Sequence, residues 1–123
     1  MKFRPELVRR VFRELKFRKG LITAVVRDYR TKDVLMVATQ NQKAVERTLL
    51  EGRMFYWSRS RKKLWLKGEK SGNFQILQRV WLDCDGDVIL YDVKQVGGAC
   101  HMGYRSCFYR ELKGTEIVTV GKK

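Results

Sequence analysis

Proline and histidine occur once each in this chain of 123 residues, as Pro5 and His101; cysteine occurs three times, and 13 Asp and Glu face 27 Lys and Arg. One proline, ten scattered glycines and no low-complexity run exclude a long flexible linker, or a disordered tail longer than Val120 to Lys123. No apolar run approaches the ~18 residues of a membrane-spanning helix, and the N-terminus alternates charge with hydrophobes where a secretory signal is continuously apolar. An odd number of cysteines cannot all pair within the chain. Grouped with His and Asp in a reducing compartment, such cysteines more often bind metal or react than form disulfides. The expectation is a soluble, cytoplasmic protein without membrane contact. With no internal repeat and 44% hydrophobic residues, the length suits a single domain over residues 1–123 with a core of its own.

Positive charge is in excess. A net +14 favours anionic partners: nucleic acid, acidic lipid or a phosphorylated small molecule. Composition does not choose among them.

Hydrophobic spacing sets out the elements. Leu7, Val8, Val11, Phe12 and Leu15 recur at three- and four-residue intervals, predicting an amphipathic helix over about residues 5–18, with Pro5 in its first turn and Gly20 placed to stop it. Its basic face reads as a solvated outer surface. Leu21 to Arg27 and Val34 to Thr39 predict two antiparallel strands, and Asn41 caps a second helix that Gly52 closes. Met54 to Ser58 predicts another strand. Arg59 to Lys67 then sets basic groups among hydroxyl and aromatic residues, either a phosphate-holding and stacking surface or a solubilising hairpin tip with Trp65 in the core. Gly68 to Asn73 is rich in turn formers and lacks the spacing of a P-loop. Phe74 to Leu82 and Val88 to Val96 predict a hairpin about Asp85-Gly86, while Phe108 to Arg110 and Ile117 to Val120 resemble closing strands. About seven strands and two short helices make a β-dominated α+β fold.

The stretch from Asp83 to Cys107 holds every cysteine and the histidine. Asp83, Asp85 and Asp87 repel one another unless a cation offsets the repulsion. An EF-hand does not fit, because Val88 stands at its glycine position and Lys94 at its bidentate glutamate position. Hard oxygen ligands without that cage suit Mg²⁺, commonly shared with a substrate phosphate; three solvated aspartates are the plain alternative. Cys84, Cys100 and Cys107 are soft ligands that leave a tetrahedral Zn²⁺ one position open for water. His101 either fills that position or stands beside it as a general acid or base. In an extended tip Cys84 faces away from Asp83 and Asp85, so one metal does not take both sets. Completion of the thiol site across a dimer interface is a further expectation.

Tyr56-Trp57-Ser58-Arg59-Ser60-Arg61, Leu64-Trp65, Lys67-Gly68-Glu69, Ser71-Gly72-Asn73, Asp83-Cys84-Asp85-Gly86-Asp87, Cys100-His101 and Ser106-Cys107-Phe108-Tyr109 together resemble the phosphoribosyl-AMP cyclohydrolases of histidine biosynthesis, over about residues 20–110. The resemblance implies a hydrolase that opens the purine six-membered ring of phosphoribosyl-AMP between N1 and C6 by means of a zinc-activated water. It implies an intertwined homodimer with zinc on Cys84 of one subunit and Cys100 and Cys107 of the other, Mg²⁺ on Asp83, Asp85 and Asp87, and His101 as general base or acid. Substrate is expected on Arg59, Ser60, Arg61, Trp65, Lys67, Gly68, Glu69, Ser71, Gly72 and Asn73. The sequence departs from the family at Ala38-Thr39-Gln40-Asn41, where Tyr-Met more often precedes the Asn, and at Met102, where a Thr commonly follows the His. A zinc-stabilised nucleic-acid-binding module, with His101 as fourth ligand, is the alternative. It accounts for the charge but not for three clustered carboxylates, so nucleic acid is not the expected partner.

Overall fold

A computed structural model describes residues 1–123. In chain order the elements are α1 (Pro5–Glu14), β1 (Leu21–Asp28), β2 (Val34–Asn41), α2 (Gln42–Glu51), β3 (Phe55–Ser58), β4 (Lys63–Leu66), β5 (Gln75–Leu82), β6 (Val88–Gln95), β7 (Arg110–Lys113) and β8 (Glu116–Thr119). Two helices and eight strands make the β-dominated α+β fold that the patterning predicts.

The first helix is shorter than its periodicity suggests. Pro5 sits in its first turn, but Leu15 turns extended (φ −87°, ψ 141°), so α1 ends at Glu14 and not near Arg18. Leu15 still reaches the core. The helix yields because the next N–H, of Lys16, donates to the Gly86 carbonyl at 2.8 Å, while Phe17 stacks back on Phe12. Gly20, with φ +77°, turns the chain into β1 and does not end the helix. The second helix follows its local signals: the Asn41 side chain accepts from the Ala44 N–H at 2.9 Å, and Gly52 closes it at φ 76°.

A four-stranded sheet runs in the order β2-β1-β6-β5, with β1 and β6 parallel and the outer pairs antiparallel. One face carries the core, in which Val26, Leu35, Leu77 and Val93 lie with Val45 and Leu49 of α2. Truncating such a residue to Ala costs about 2–5 kcal/mol. On the other face, register aligns Val37, Val25, Leu90 and Trp81 in a row across all four strands. Val37 and Trp81 at its ends are 48% and 45% exposed, and Val25 and Leu90 between them are half-buried, leaving an apolar stripe partly open to solvent.

Polar groups inside the core are paired without exception. The Tyr56 hydroxyl donates to Gln75 Oε1 (2.5 Å), whose Nε2 donates to Gln95 Oε1 (2.8 Å). The Tyr91 hydroxyl donates to Gln40 Oε1 (2.7 Å), whose Nε2 reaches the Phe55 carbonyl (2.8 Å). These bonds fix the β3–β4 hairpin against β5 and β6. They also explain Gln40, a departure from the family pattern that serves the core.

The expected closing strands do not join the main sheet. Strand begins only at Arg110, and β7 and β8 form a hairpin of their own, with Leu112 opposite Ile117 and both exposed.

Candidate active site

Beside the β3–β4 hairpin lies a cavity of about 530 Å³. Its wall brings together Ser60, Arg61, Trp65, Lys67, Gly68, Glu69, Ser71 and His101, eight residues predicted to act on substrate. Ser58, Lys63, Leu66 and Lys70 complete it; the last three fall inside the Arg59–Lys67 and Gly68–Asn73 stretches expected to face substrate, though none is singled out by the sequence. Strand alternation was the available signal for one of them, since Lys63, Trp65 and Lys67 recur at period two. Trp65 is both core and wall: half-buried, its ring lies 5.0 Å from that of Tyr56.

Three predicted residues stand off the wall. Arg59 is exposed in the β3–β4 turn. Gly72 (φ +80°) donates its N–H to the Gly68 carbonyl at 2.8 Å and closes the loop. The Asn73 side chain packs so tightly against Gly97 that any Cβ there would collide with it. Gly68 is required as glycine, because at φ +91° a Cβ would fall 2.6 Å from the Phe74 nitrogen.

One cavity wall continues into the segment between β6 and β7. There Ala99 and Cys100 donate their N–H groups to the Arg105 and Tyr104 carbonyls, both at 3.0 Å, closing a loop about His101. Arg105 clamps that loop to the β1–β2 turn through Asp28 and Asp33, 3.0 Å each, and the Cys107 N–H donates to the Leu35 carbonyl at 2.7 Å. Asp28 is held below the usual carboxylate range: burial opposes this, but hydrogen bonds from Thr31, Arg30 and Arg105 outweigh it. Cys100 is buried. The Cys107 thiol is pushed up by burial and by Cys100 beside it, while Lys67 pulls the other way. Met102 is 56% exposed, and its backbone N–H lies 3.4 Å from Cys100 Sγ.

At the β5–β6 turn, ligand oxygens of Asp83, Asp85 and Asp87 all lie within 4.8 Å of one another. Asp83 accepts from the Asp87 and Val88 N–H groups at 3.0 and 3.2 Å, which shapes the turn. Hydrogen bonding with Asp83 and Asp85 pushes the Asp87 carboxyl up to about 6. Gly86 seats the turn on the end of α1: at φ +73° a Cβ would collide with the Glu14 carbonyl oxygen. Cys84 shares this turn but not the carboxylate cluster. The eight residues of β6 separate it from Cys100 and Cys107, about 26 Å at strand rise. The three cysteines do not meet in one chain.

A family model described as phosphoribosyl-AMP cyclohydrolase matches residues 36–109. The chain belongs to the phosphoribosyl-AMP cyclohydrolase family. It is 57% identical over 104 residues to a protein of Methanosarcina acetivorans, covering 85% of this chain and 86% of that one. It is 57% identical over 95 residues to one of Prosthecochloris aestuarii (77% and 69%), and 57% identical over 99 residues to one of Methanothermobacter thermautotrophicus (80% and 72%). All three relatives carry the name phosphoribosyl-AMP cyclohydrolase. The family match runs from β2 to Tyr109 and so contains the cavity, the carboxylate turn and the thiol loop, whereas α1, β1 and the β7–β8 hairpin lie outside it.

Proposed function

We propose that this chain hydrolyses the N1–C6 bond of the purine ring of phosphoribosyl-AMP, a cytoplasmic step of histidine biosynthesis. The observation that carries the reading is a basic cavity in which His101, adjoining a pair of thiols, shares one wall with Arg61, Lys63, Lys70 and Trp65. Cationic side chains suit the two phosphate groups of such a substrate, and an aromatic face suits its base.

Two donor sets fit two cations of unlike hardness. Asp83, Asp85 and Asp87 suit Mg²⁺, since a cation relieves the crowding that raises the Asp87 carboxyl. The thiols suit Zn²⁺ only if two subunits combine, Cys84 of one with Cys100 and Cys107 of the partner subunit. Zinc so held supplies a Lewis acid that activates water at neutral pH. His101 takes the proton of the attacking water and returns it to the departing ring nitrogen. Arg61, Lys63 and Lys70 hold the phosphates, and Ser60 and Ser71 offer hydroxyls to the sugar.

A homodimer is supported by the ends of β6 and by the open stripe Val37-Val25-Leu90-Trp81. Stacking that face on a second copy about a twofold, with strands antiparallel, carries one chain's carboxylate turn toward the other's thiol loop. The test is ultraviolet detection of ring opening with phosphoribosyl-AMP, with and without a zinc chelator. Turnover that chelation abolishes and zinc restores is the expected outcome. A chain that leaves the ring intact and instead shifts RNA or DNA at physiological salt would overturn the assignment.

A further inference from the structure

Lys67 stands out among the cations of the cavity. Its backbone is fixed just beyond β4, where its N–H donates to the Met54 carbonyl at 3.0 Å. Its side chain is half-buried, and Nζ donates to the Ala99 carbonyl at 2.5 Å, with the Trp65 ring centroid 5.9 Å away. Ala99 is buried and immediately precedes Cys100 and His101. The remaining side-chain ties of the thiol loop run elsewhere: Arg105 and Ser106 reach the β1–β2 hairpin, and Gln95 at the end of β6 contacts the Gly98 carbonyl at 3.5 Å. The bond from Lys67 is therefore the side-chain tie between the cavity-forming hairpin and the loop that carries Cys100, His101 and Cys107.

We infer that Lys67 is a positioning residue: an ammonium strut that sets the thiol pair and His101 at a fixed distance from the cavity wall, and keeps a positive charge beside ligands that bind metal as anions. The inference rests on the proposed cyclohydrolase site and revises one part of it, the expectation that Lys67 grips a substrate phosphate. Lys67 lines the cavity, but one of its three donors is committed to a buried backbone carbonyl, which fixes the ammonium against the thiol loop where a purely phosphate-binding lysine has no such tie. Burial lowers the Lys67 ammonium, and the thiols of Cys107 and Cys100 raise it, as expected of a cation lodged at the thiol pair.

Groups around metal ligands typically change metal affinity or activity by about 10–100-fold when altered. Lys67→Met keeps the length and apolar stem and removes the charge and donors. Expected are a fall in zinc affinity of about tenfold or more by chelator competition and a comparable fall in kcat, with KM near that of the unaltered protein. Lys67→Arg, which keeps the charge, should recover part of the zinc affinity. A raised KM with unchanged zinc affinity would make Lys67 a phosphate contact and overturn the inference. One readout does not depend on the cyclohydrolase reading: alkylation of Cys100 in zinc-free protein, followed by mass spectrometry. Loosening the loop in Lys67→Met should speed alkylation of this buried thiol at least severalfold, with no change in overall unfolding temperature large enough to explain it. Unchanged alkylation would sink the strut even if ring opening is shown; faster alkylation in a protein that opens no purine ring would leave the strut standing and remove the function.

Discussion

At one end of β6 three carboxylates stand in solvent on a five-residue turn, shaped by backbone N–H groups and seated on the end of α1 through Gly86. At the other end two thiols lie in a longer loop that is partly buried and held on two sides: Lys67 reaches in from the end of β4, and the loop's own Arg105 and Ser106 reach out to the β1–β2 hairpin. The turn is a local structure, so its residue pattern could be read directly from the sequence. The loop is built by residues 30 to 80 positions away in the chain, so its cysteines were visible but the supports that aim them were not. Hard ligands that work while hydrated tolerate exposure, whereas thiols that must converge on one ion need a rigid frame.

If the two ends belong to one site shared between subunits, the largest effect comes from separating them. Cys84→Ala and Cys107→Ala should each abolish zinc binding and ring opening alone. Mixed after subunit exchange, they should regain about a quarter of the unaltered activity, because half the dimers then carry one intact site. Lack of any recovery in verified mixed dimers would mean that each chain builds its own site. Next in size is Gly86→Ala, whose Cβ strikes the Glu14 carbonyl and whose φ suits glycine; it should cost about 1–3 kcal/mol of stability by denaturant titration and weaken Mg²⁺ binding while leaving zinc affinity intact. Arg105→Ala acts at the opposite end. Loss of its bonds to Asp28, Asp33 and Thr31 should cost about 1 kcal/mol and lower zinc affinity while leaving Mg²⁺ affinity intact. Each variant sharpens the comparison if its effect stays at its own end, and breaks it if both metals respond alike.

The smallest expected effect is a pH dependence. The Asp87 carboxyl sits near 6 in the folded chain, above its ordinary value near 4, so the folded state binds its proton more tightly than the unfolded state. That contribution to stability is complete below about pH 4 and is lost as pH rises through about 6. Thermal melts of the metal-free protein from pH 4 to 7 should show the decline. Asp87→Asn should flatten it, and Mg²⁺ should offset it at the upper end; a slope untouched by either would place the titration elsewhere.

Where the sequence was legible, short-range physics governed. Asn41 at a helix start, Gly52 at its end and Asp85-Gly86 between strands each act through neighbours within a few residues, and the structure has them in those roles. The end of α1 was not legible, because the carbonyl that draws Lys16 out of the helix belongs to Gly86, 70 residues on. Nor was the placement of β1 beside β6, since no local pattern announces a parallel pairing. In the candidate site the aim of side chains was not legible: Lys63 and Lys70 line the cavity, Arg59 and Asn73 stand off it, and Lys67 bonds to Ala99.

The parallel pairing of β1 with β6 also bears on how the chain reaches this state. Thr23 pairs with Val88, 65 residues later, so the central seam of the sheet closes a long loop at an entropic cost of about 4 kcal/mol by simple chain statistics. The two hairpins that flank the seam are local and form on microsecond timescales. Refolding should therefore assemble the carboxylate turn early with β5 and β6, and join it to the β1–β2 half only in the rate-limiting step. The thiol loop, clamped across that seam by Arg105, would be among the last features to become ordered.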